Sequence, residues 1–222
     1  MEIFNAIVDG MTWLLNWLYN ITVAVGIANY GIAIILLTII VKLALYPLSH
    51  KQMKSMLAMQ QIQPKIKEIQ QKYKDKDPKK MQEKMLELYR EHNVNPAAGC
   101  LPLLIQMPIL IALFRSLINF PYVNVDHASF IWVQNLSERD PYYILPILAG
   151  LTTYFQSKMT TSATDPAQKM MLYTMPVFIA WISSTFPAGL SLYWVVYNVV
   201  SWAQQYFINK QAVVVKGEAG KS

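Results

Sequence analysis

The sequence predicts an all-α integral membrane protein with five transmembrane helices, an N-terminal interfacial helix and a cytoplasmic helical hairpin. Apolar residues make up 54% of the chain and charged residues only 14%, which fits either a small membrane protein or an apolar soluble domain. The distribution of charge decides between these classes, since the charges concentrate between Lys51 and Glu91. The segments on either side are almost free of charge, as helices embedded in a bilayer require.

Residues 1–26 are predicted to form an amphipathic helix that lies in the membrane interface. Polar residues recur every three or four positions, which puts them on one helix face, and tryptophans at headgroup level fit this placement. The polar stripe consists of Asn5, Asp9, Thr12, Asn16 and Asn20. An additional span is the alternative. The segment has no Lys or Arg and no evident cleavage site, so we expect no signal-peptide processing.

Residues 27–49 are predicted to be the first span. The run is nearly all apolar, and about 22 residues rise about 33 Å, enough to cross a hydrocarbon core. Its one charge is Lys42, with Thr38 one turn earlier on the same face. A lysine near the bilayer centre costs about 2.5 to 3.5 kcal/mol, so water, a partner or a function must offset it. Snorkelling to the nearby helix end is the alternative.

Residues 50–97 are predicted to form the cytoplasmic hairpin. Eleven basic residues stand against six acidic ones, and two amphipathic helical patterns follow each other. Pro64 is expected to kink or interrupt the first pattern, and Asp75 to Pro78 to form the turn, with Asp77 as the N-cap of the second helix. The candidate contact lysines are Lys65, Lys67, Lys72, Lys79, Lys80 and Lys84. For most single lysines, simple solvation under the topology rule is the alternative.

Four further apolar segments complete the five spans. They lie at residues 98–120, 142–159, 171–186 and 189–208; an extracytoplasmic loop at 121–141, a cytoplasmic loop at 160–170 and a short external turn at 187–188 connect them, and a cytoplasmic tail follows at 209–222. With the hairpin inside, sixteen basic residues fall on that side, against Arg115 and Arg139 outside. The positive-inside rule therefore predicts an external N terminus and an internal C terminus.

The spans carry more polar groups than a bundle facing lipid needs. The last span has a polar stripe at Ser191, Trp194, Asn198, Ser201 and Gln205. Interhelical hydrogen bonds, worth about 0.6 kcal/mol each, would account for any single residue. Together with the lysine of the first span, however, the set predicts a water-filled groove. The candidate groove residues are Lys42, Thr38, Gln106, Gln156, Trp194, Asn198 and Ser201.

The sequence shows no pattern typical of an enzyme, a metal site or a cofactor site. The three histidines lie in separate loops, and no phosphate-binding glycine loop or nucleophile turn occurs. The single Cys100 excludes a disulfide within the chain. The basic hairpin lacks the aromatic platforms of a dedicated nucleic-acid site.

Five segments carry a family resemblance. They are TIIVKLALYPLSHKQMKSM at 38–56, QIQPKIKEIQQKY at 61–73, VNPAAGCLPLLIQMPILIALF at 94–114, DPYYILPILAG at 140–150 and PAGLSLYWVVYN at 187–198. In order and spacing they resemble the YidC/Oxa/Alb family of membrane protein insertases. The likeness covers nearly the whole chain.

The resemblance implies a five-span core in the bacterial plasma membrane, with a hydrophilic groove open to the cytoplasm and to lipid but closed outside. It implies nascent membrane proteins as clients, the ribosome with a Sec translocon or targeting factors as partners, and a functional monomer. Lys42 takes the place of the family's usual arginine; it keeps the charge but lacks the planar fork that binds a carboxylate bidentately. Thr38, Gln156 and Trp194 match groove-lining or client-contacting positions. The large extracytoplasmic domain of many members is expected to be absent, because about two dozen residues precede the first predicted span.

The predicted function is therefore the insertion and folding of integral membrane proteins. The charged groove would attract a short, often acidic client segment, and the apolar client helix would leave along the third and fifth spans. One alternative is a secondary transporter for a small anion with Lys42 as its ligand, although no internal repeat is visible. The other is an assembly factor whose polar stripe binds another integral subunit.

Overall fold

The computed structural model describes residues 2–73, 76–92, 94, 101–118, 120–160 and 166–219. These residues form eight α-helices and one 3-10 helix, without a strand beyond the isolated bridge of Phe130 with Val133. The α-helices are α1 (Glu2–Ala24), α2 (Tyr30–Ala44), α3 (Tyr46–Tyr73), α4 (Pro78–Glu91), α5 (Leu101–Leu117), α6 (Ile144–Thr160), α7 (Pro166–Ser183) and α8 (Ala188–Ala219). The all-α class is confirmed. The predictions at Asp75, Cys100 and residues 161–165 lie outside the described residues.

Judged by length and apolar character, no single helix of the described part could cross a bilayer alone. The consecutive pair α2 and α3 meets both criteria together, with a bend of 69° between them. Gln106–Leu117 within α5 and Lys169–Ser183 within α7 are shorter apolar helices. The number of spans and their orientation therefore stay predictions.

The bend between α2 and α3 divides the segment predicted as one helix over residues 27–49. Asn29 caps α2 by accepting a hydrogen bond from the backbone N–H of Ile32 at 3.2 Å, and α2 ends at Ala44. Pro47 explains the break, because it has no backbone N–H for the carbonyl four residues earlier and disfavours helical geometry in the residue before it. Pro64 causes no comparable interruption, since α3 continues through it to Tyr73.

Helix α1 packs against the C-terminal end of α5 and the N-terminal end of α2. Two residues of its predicted polar stripe, Thr12 and Asn16, turn towards this packing surface, whereas Trp13 and Trp17 are exposed and stack on each other. The Cζ atom of Arg115 lies 5.2 Å from the ring centroid of Phe4. Thr12 Oγ1 and Ser116 Oγ form a hydrogen bond of 2.7 Å. The rings of Tyr19 and Tyr30 stack with 4.0 Å between their centroids. The polar stripe therefore contributes contacts to the packing of the helices as well as a polar surface.

The hairpin of α3 and α4 has the predicted cap of its second helix and its own small apolar core. Asp77 accepts a hydrogen bond from the backbone N–H of Lys80 at 3.0 Å, and Pro78 is the first residue of α4, which confirms the predicted cap. The buried residues of this core are Ile62, Ile66, Leu88 and Val94. Gln60 Nε2 donates to the carbonyl of Met159 at 3.1 Å and ties the hairpin to the end of α6.

Helix α6 packs closely against both α7 and α8. A Cβ added at Gly150 of α6 would lie 2.9 Å from Ala180 Cβ of α7, so this glycine permits the close approach of the two helices. The loop before α6 holds the start of α8: the backbone N–H of Ala188 donates to Glu138 O at 2.6 Å, and that of Gly189 donates to Leu136 O at 2.9 Å. Helix α7 ends three residues before the end of the predicted span 171–186.

Candidate functional site

Lys42 is the centre of the candidate site. Its side chain is 3% exposed, so it lies inside the protein and does not extend along the lipid-facing surface. Its Nζ donates a hydrogen bond to Ser201 Oγ of α8 and lies 3.7 Å from the ring centroid of Tyr197. Ser201 in turn donates to the carbonyl of Tyr197 at 2.7 Å. These polar contacts favour a structural partner over snorkelling.

The contacts of Lys42 account for the energy of its burial. A hydrogen bond to a charged group contributes about 1.5 to 3 kcal/mol, and a desolvated cation–π contact about 2 kcal/mol. Together they match the cost of about 2.5 to 3.5 kcal/mol for a lysine at membrane depth. Within the described residues no carboxylate pairs with Lys42, and the ion pair recorded there joins Lys84 to Glu87 on α4. Among these residues Lys42 therefore has polar and aromatic contacts but no counter-ion.

Two other candidate residues lie in this region. One forms a hydrogen bond to another helix, and the other forms a hydrogen bond within its own helix. Gln106 of α5 donates from Nε2 to the hydroxyl of Tyr193 on α8 at 2.9 Å, and both side chains are buried. Thr38 is fully buried, and its hydroxyl donates to the carbonyl of Ile34 at 2.7 Å, within its own helix. Thr38 therefore brings a compact polar group to the region of Lys42 without leaving a buried donor unpaired.

A second polar cluster joins α6 to α8. Trp194 donates from Nε1 to Thr153 Oγ1 at 3.0 Å, and the amide of Asn198 lies 2.8 Å from the same oxygen and 3.2 Å from Thr152 Oγ1. Gln156 lies one turn further along α6 and is half-buried. Trp194, Asn198 and Ser201 therefore follow one polar side of α8, as their spacing predicts, and Gln156 lies near it on α6.

Several residues of this site are not among those predicted from the sequence. Thr152 and Thr153 precede Gln156 by about one turn, a spacing that could have identified them. Tyr193 and Tyr197 are not among the residues predicted for the site, although the hydroxyl of Tyr193 accepts a hydrogen bond from Gln106 and the ring of Tyr197 contacts Lys42. Their spacing of four residues, next to the polar stripe, was the available signal.

Buried polar atoms continue from the lysine towards the hairpin. His50 Nδ1 and Gln52 Nε2 on α3 and Gln204 Oε1 on α8 are buried and have no hydrogen-bond partner among the described residues. Buried polar groups are normally satisfied by protein, water or a ligand. These three buried groups are therefore suited to bind water.

The lysines predicted on the hairpin lie mostly at the surface, and two of them, Lys72 and Lys80, are 5.4 and 5.8 Å from the ring centroid of Tyr73. Five of them, Lys65, Lys67, Lys72, Lys79 and Lys80, are exposed, and the sixth is Lys84, which pairs with Glu87. Lys65 Nζ lies 3.1 Å from His92 Nε2, which connects α3 to the end of α4. The exposed lysines form a positively charged surface rather than a closed pocket.

An apolar cavity of about 420 Å³ lies next to the polar cluster, between α5, α7 and α8. Met107 and Phe114 of α5, Phe178 of α7 and Phe186 of the connection between α7 and α8 form much of its wall. Trp194 lines it too, so this residue has its ring at the cavity and its N–H in the polar cluster. The described residues contain no group of three or more histidine, cysteine or carboxylate side chains that could hold a metal ion.

This arrangement can be compared with known proteins. The family model described as 60Kd inner membrane protein matches residues 21–215. The chain belongs to the 60Kd inner membrane protein family. Two curated relatives are similar to this chain. The membrane protein insertase YidC of Geobacter sulfurreducens is 46% identical to it over 183 residues, and that of Wolinella succinogenes is 48% identical over 199 residues.

The matches cover most of this chain but a smaller share of the relatives. The two matches cover 82% and 89% of this chain but only 34% and 36% of the two insertases. The chain therefore spans about a third of the length of these relatives. A crystal structure of an active YidC insertase with its first transmembrane domain resolved is similar, with a TM-score of 0.72 and 34% identity. That match covers 92% of this chain and 46% of the other. The resemblance to the YidC family is confirmed.

Proposed function

We propose that this chain is a membrane protein insertase, a protein without enzymatic activity that helps integral membrane proteins to enter the bacterial plasma membrane and to fold there. The observation that carries the proposal is Lys42, a buried ammonium group without a carboxylate partner in the described part of the chain. Its partner Ser201 lies on α8, which also carries Trp194 of the polar cluster, and an apolar cavity borders that cluster. The names of the curated relatives support the same function.

The proposed topology has α2, α5, α6, α7 and α8 across the membrane, the N terminus outside and the C terminus inside. The positive-inside count supports this orientation. Helix α1 would lie in the outer interface, since its contacts involve the last turn of α5 and the first turn of α2, which this orientation places on the outer side. Its exposed Trp13 and Trp17 are suited to headgroup depth.

In the proposed mechanism a short polar segment of the client enters from the cytoplasmic side, past the buried polar atoms of His50, Gln52 and Gln204. Hydration of this region lowers the free energy needed to transfer polar client groups into the membrane. The charge of Lys42 attracts acidic client residues over several ångströms, because the surroundings screen it less than bulk water does. Arginine-like bidentate capture is not required for this attraction.

The apolar client helix would then move into lipid along the cavity between α5, α7 and α8. The sequence favoured the third and fifth spans as the exit, whereas this cavity is formed by the helices predicted as the second, fourth and fifth spans. Burial of apolar surface stabilises the inserted helix by about 25 cal/mol per Å². Insertion therefore requires no nucleotide hydrolysis by this chain.

We further propose that the exposed lysines of the hairpin contact the ribosome, a targeting factor or a Sec translocon, and that a monomer suffices for function. Lysines bind phosphate groups without base specificity, and their attraction weakens as salt concentration rises. The hydrogen bond from Gln60 to Met159 supports a coupling between the hairpin and α6.

Photocrosslinking to a ribosome-stalled client tests the proposed function. A crosslinker in place of Trp194 or Gln156 should capture the nascent chain, whereas one at the exposed loop residue Ile131 should not. Capture of a stable membrane subunit instead would favour an assembly factor. Capture of neither would favour the small-anion transporter, and either result would overturn the insertase proposal.

A further inference from the structure

Tyr197 of α8 is connected to Lys42 in two ways. The Nζ atom of Lys42 lies 3.7 Å from the ring centroid of Tyr197, and it also donates a hydrogen bond to Ser201 Oγ. Ser201 Oγ in turn donates to the backbone carbonyl of Tyr197 at 2.7 Å. The ammonium group is therefore held between the ring of Tyr197 and the hydroxyl of Ser201, which lies about one helical turn later in α8.

Neighbouring side chains fix the orientation of the Tyr197 ring. The ring of Tyr193 stacks on it with 6.1 Å between the centroids, and the ring of Trp194 lies 6.4 Å away. Each neighbour is anchored to a different helix: the hydroxyl of Tyr193 accepts from Gln106 of α5 at 2.9 Å, and Trp194 Nε1 donates to Thr153 Oγ1 of α6 at 3.0 Å. The position of the Tyr197 ring therefore depends on contacts other than that with the lysine.

The ring of Tyr197 binds the ammonium group without cancelling its charge. The face of an aromatic ring attracts a cation through its quadrupole and carries no net charge. A carboxylate in the same place would neutralise the ammonium group, but the ion pair found in the described part of the chain joins Lys84 to Glu87 on α4. Contacts to neutral groups leave the charge of Lys42 available to a negatively charged partner.

Tyr197 also holds this charge away from the end of its helix. Lys42 lies two residues before the end of α2 at Ala44, so its side chain is long enough to extend towards the cytoplasmic surface. Such an extension would move the charge away from a client segment that has entered the membrane. Tyr197 precedes Ser201 by about 6 Å along α8, which in the proposed topology is the outer side of the hydroxyl. The ring therefore keeps the ammonium group deeper in the membrane than Ser201 alone would.

We propose that Tyr197 is a positioning residue for the charge of Lys42. Its ring holds the ammonium group at membrane depth, and its neutrality leaves the charge available to an acidic client segment. This role rests on the proposed insertase function. It makes Tyr197 a determinant of the preference for acidic over neutral clients, and not a residue that insertion itself requires.

The first test compares Tyr197→Leu, which removes the ring, with Tyr197→Phe, which keeps it. The two clients are identical except for aspartate or asparagine in the translocated segment. If loss of the ring moves the ammonium group from about 8 Å to about 12 Å from the client carboxylate, the advantage of the aspartate client should fall about threefold at an effective dielectric constant of about 20. Tyr197→Phe should keep the wild-type ratio. Normal insertion of the asparagine client by Tyr197→Leu would show that this variant folds.

Two further variants separate the positioning role from a general effect on packing. In the Lys42→Met background, Tyr197→Leu should leave the ratio of the two clients unchanged, because the ring then has no charge to position. Tyr206→Leu removes an exposed tyrosine of the same helix and is the matched control, with the wild-type ratio of the two clients.

The second test measures the position of Lys42 without any client. A membrane-impermeant amine reagent is added to inside-out vesicles, and mass spectrometry measures the labelling of individual lysines. Lys42 should be labelled at least about threefold faster in Tyr197→Leu than in the wild type or in Tyr197→Phe, as expected for the loss of one cation–π contact. The exposed Lys169 of α7 should be labelled equally in all three proteins.

Several results would overturn the role of Tyr197. These are an unchanged client ratio in Tyr197→Leu, an equal fall in Tyr197→Phe, a fall that persists in the Lys42→Met background, an equal loss for both clients, equal insertion of both clients by the wild type, or unchanged labelling of Lys42. Failure of the wild-type protein to insert either client would overturn the proposed function. Faster labelling of Lys42 in Tyr197→Leu would still support the placement of the charge by Tyr197 in that case.

Discussion

Replacing Lys42 by methionine removes the buried charge and keeps a long, flexible side chain. The variant should fold normally, because the hydroxyl of Ser201 still donates to the carbonyl of Tyr197 and no buried donor is left unpaired. Replacement of a buried charge by an apolar group of similar size is often neutral or stabilising. We expect the free energy of unfolding to change by less than about 1 kcal/mol.

The effect on insertion follows from the position of the ammonium group. Ser201 and the ring of Tyr197 cover it, so a client carboxylate remains about one side chain away. At a separation of about 8 Å and an effective dielectric constant of about 20, the attraction is about 2 kcal/mol. Its loss should slow the insertion of an acidic client by about thirtyfold. Lys42→Glu replaces attraction by repulsion and should slow it further.

Protease protection of clients in reconstituted vesicles measures this effect. Two clients that differ only by aspartate or asparagine in the translocated segment should respond differently to Lys42→Met. The aspartate client should lose its advantage, and the asparagine client should insert as it does with the wild type. Lys42→Arg keeps the charge and is the matched control, with near wild-type activity for both clients. An unchanged ratio of the two clients in Lys42→Met would refute the electrostatic role.

Three further substitutions test the packing that holds the site, each followed by thermal or chemical unfolding in nanodiscs. Tyr193→Phe should destabilise the protein by about 1 to 3 kcal/mol, because it leaves the buried amide of Gln106 without its acceptor. Gly31→Ala should lower stability by about 1 to 3 kcal/mol, since the added Cβ would overlap the ring of Phe130 and lie 2.9 Å from Asn29 Oδ1. Asp140→Ala should lower it by about 2 kcal/mol, since this buried carboxylate accepts hydrogen bonds from Trp132 Nε1 and from the backbone N–H groups of Tyr142 and Leu145 at the start of α6.

Each substitution has an internal control. Adding Gln106→Leu to Tyr193→Phe should recover part of the lost stability, and additive losses would contradict the hydrogen-bond explanation. Gly10→Ala has no atom within 4 Å of the new Cβ and should stabilise α1 by up to about 1 kcal/mol. A similar effect at Gly31 would contradict the overlap with Phe130. Asp126 is an exposed carboxylate of the same loop, and a loss of stability in Asp126→Ala equal to that of Asp140→Ala would contradict the capping role.

The sequence allowed the helical class, the hairpin cap and the polar side of α8 to be predicted, because each depends on local spacing. Asp77 and Pro78 carry a cap signal within a few residues. Ser201 and Asn198 follow a helical period, so their common side of α8 needs no knowledge of the other helices. The partners of these residues could not be predicted in the same way.

Contacts between distant segments caused the omissions. The pairing of Lys42 with Ser201 joins residues 159 positions apart, and no local pattern encodes it. In the sequence Tyr197 resembles an ordinary apolar residue of a span, and only the structure shows that Lys42 lies over its ring. The break at Leu45 was missed because apolar content alone predicts one helix, while Pro47 acts through the backbone.

Two backbone hydrogen bonds fix the start of α8, so any tilt of this helix displaces its later residues most. They involve main-chain atoms of Ala188 and Gly189, and a Cβ added at Gly189 would lie only 3.2 Å from the accepting oxygen of Leu136, so the close approach at the second bond depends on glycine. Ser201 lies twelve residues further on, about 18 Å along the helix axis. A tilt of about 10° around the fixed end would displace Ser201 by about 3 Å, enough to break its hydrogen bond with Lys42. A movement of α8 of this size would therefore expose the ammonium group of Lys42, which Ser201 covers when the helix is in place.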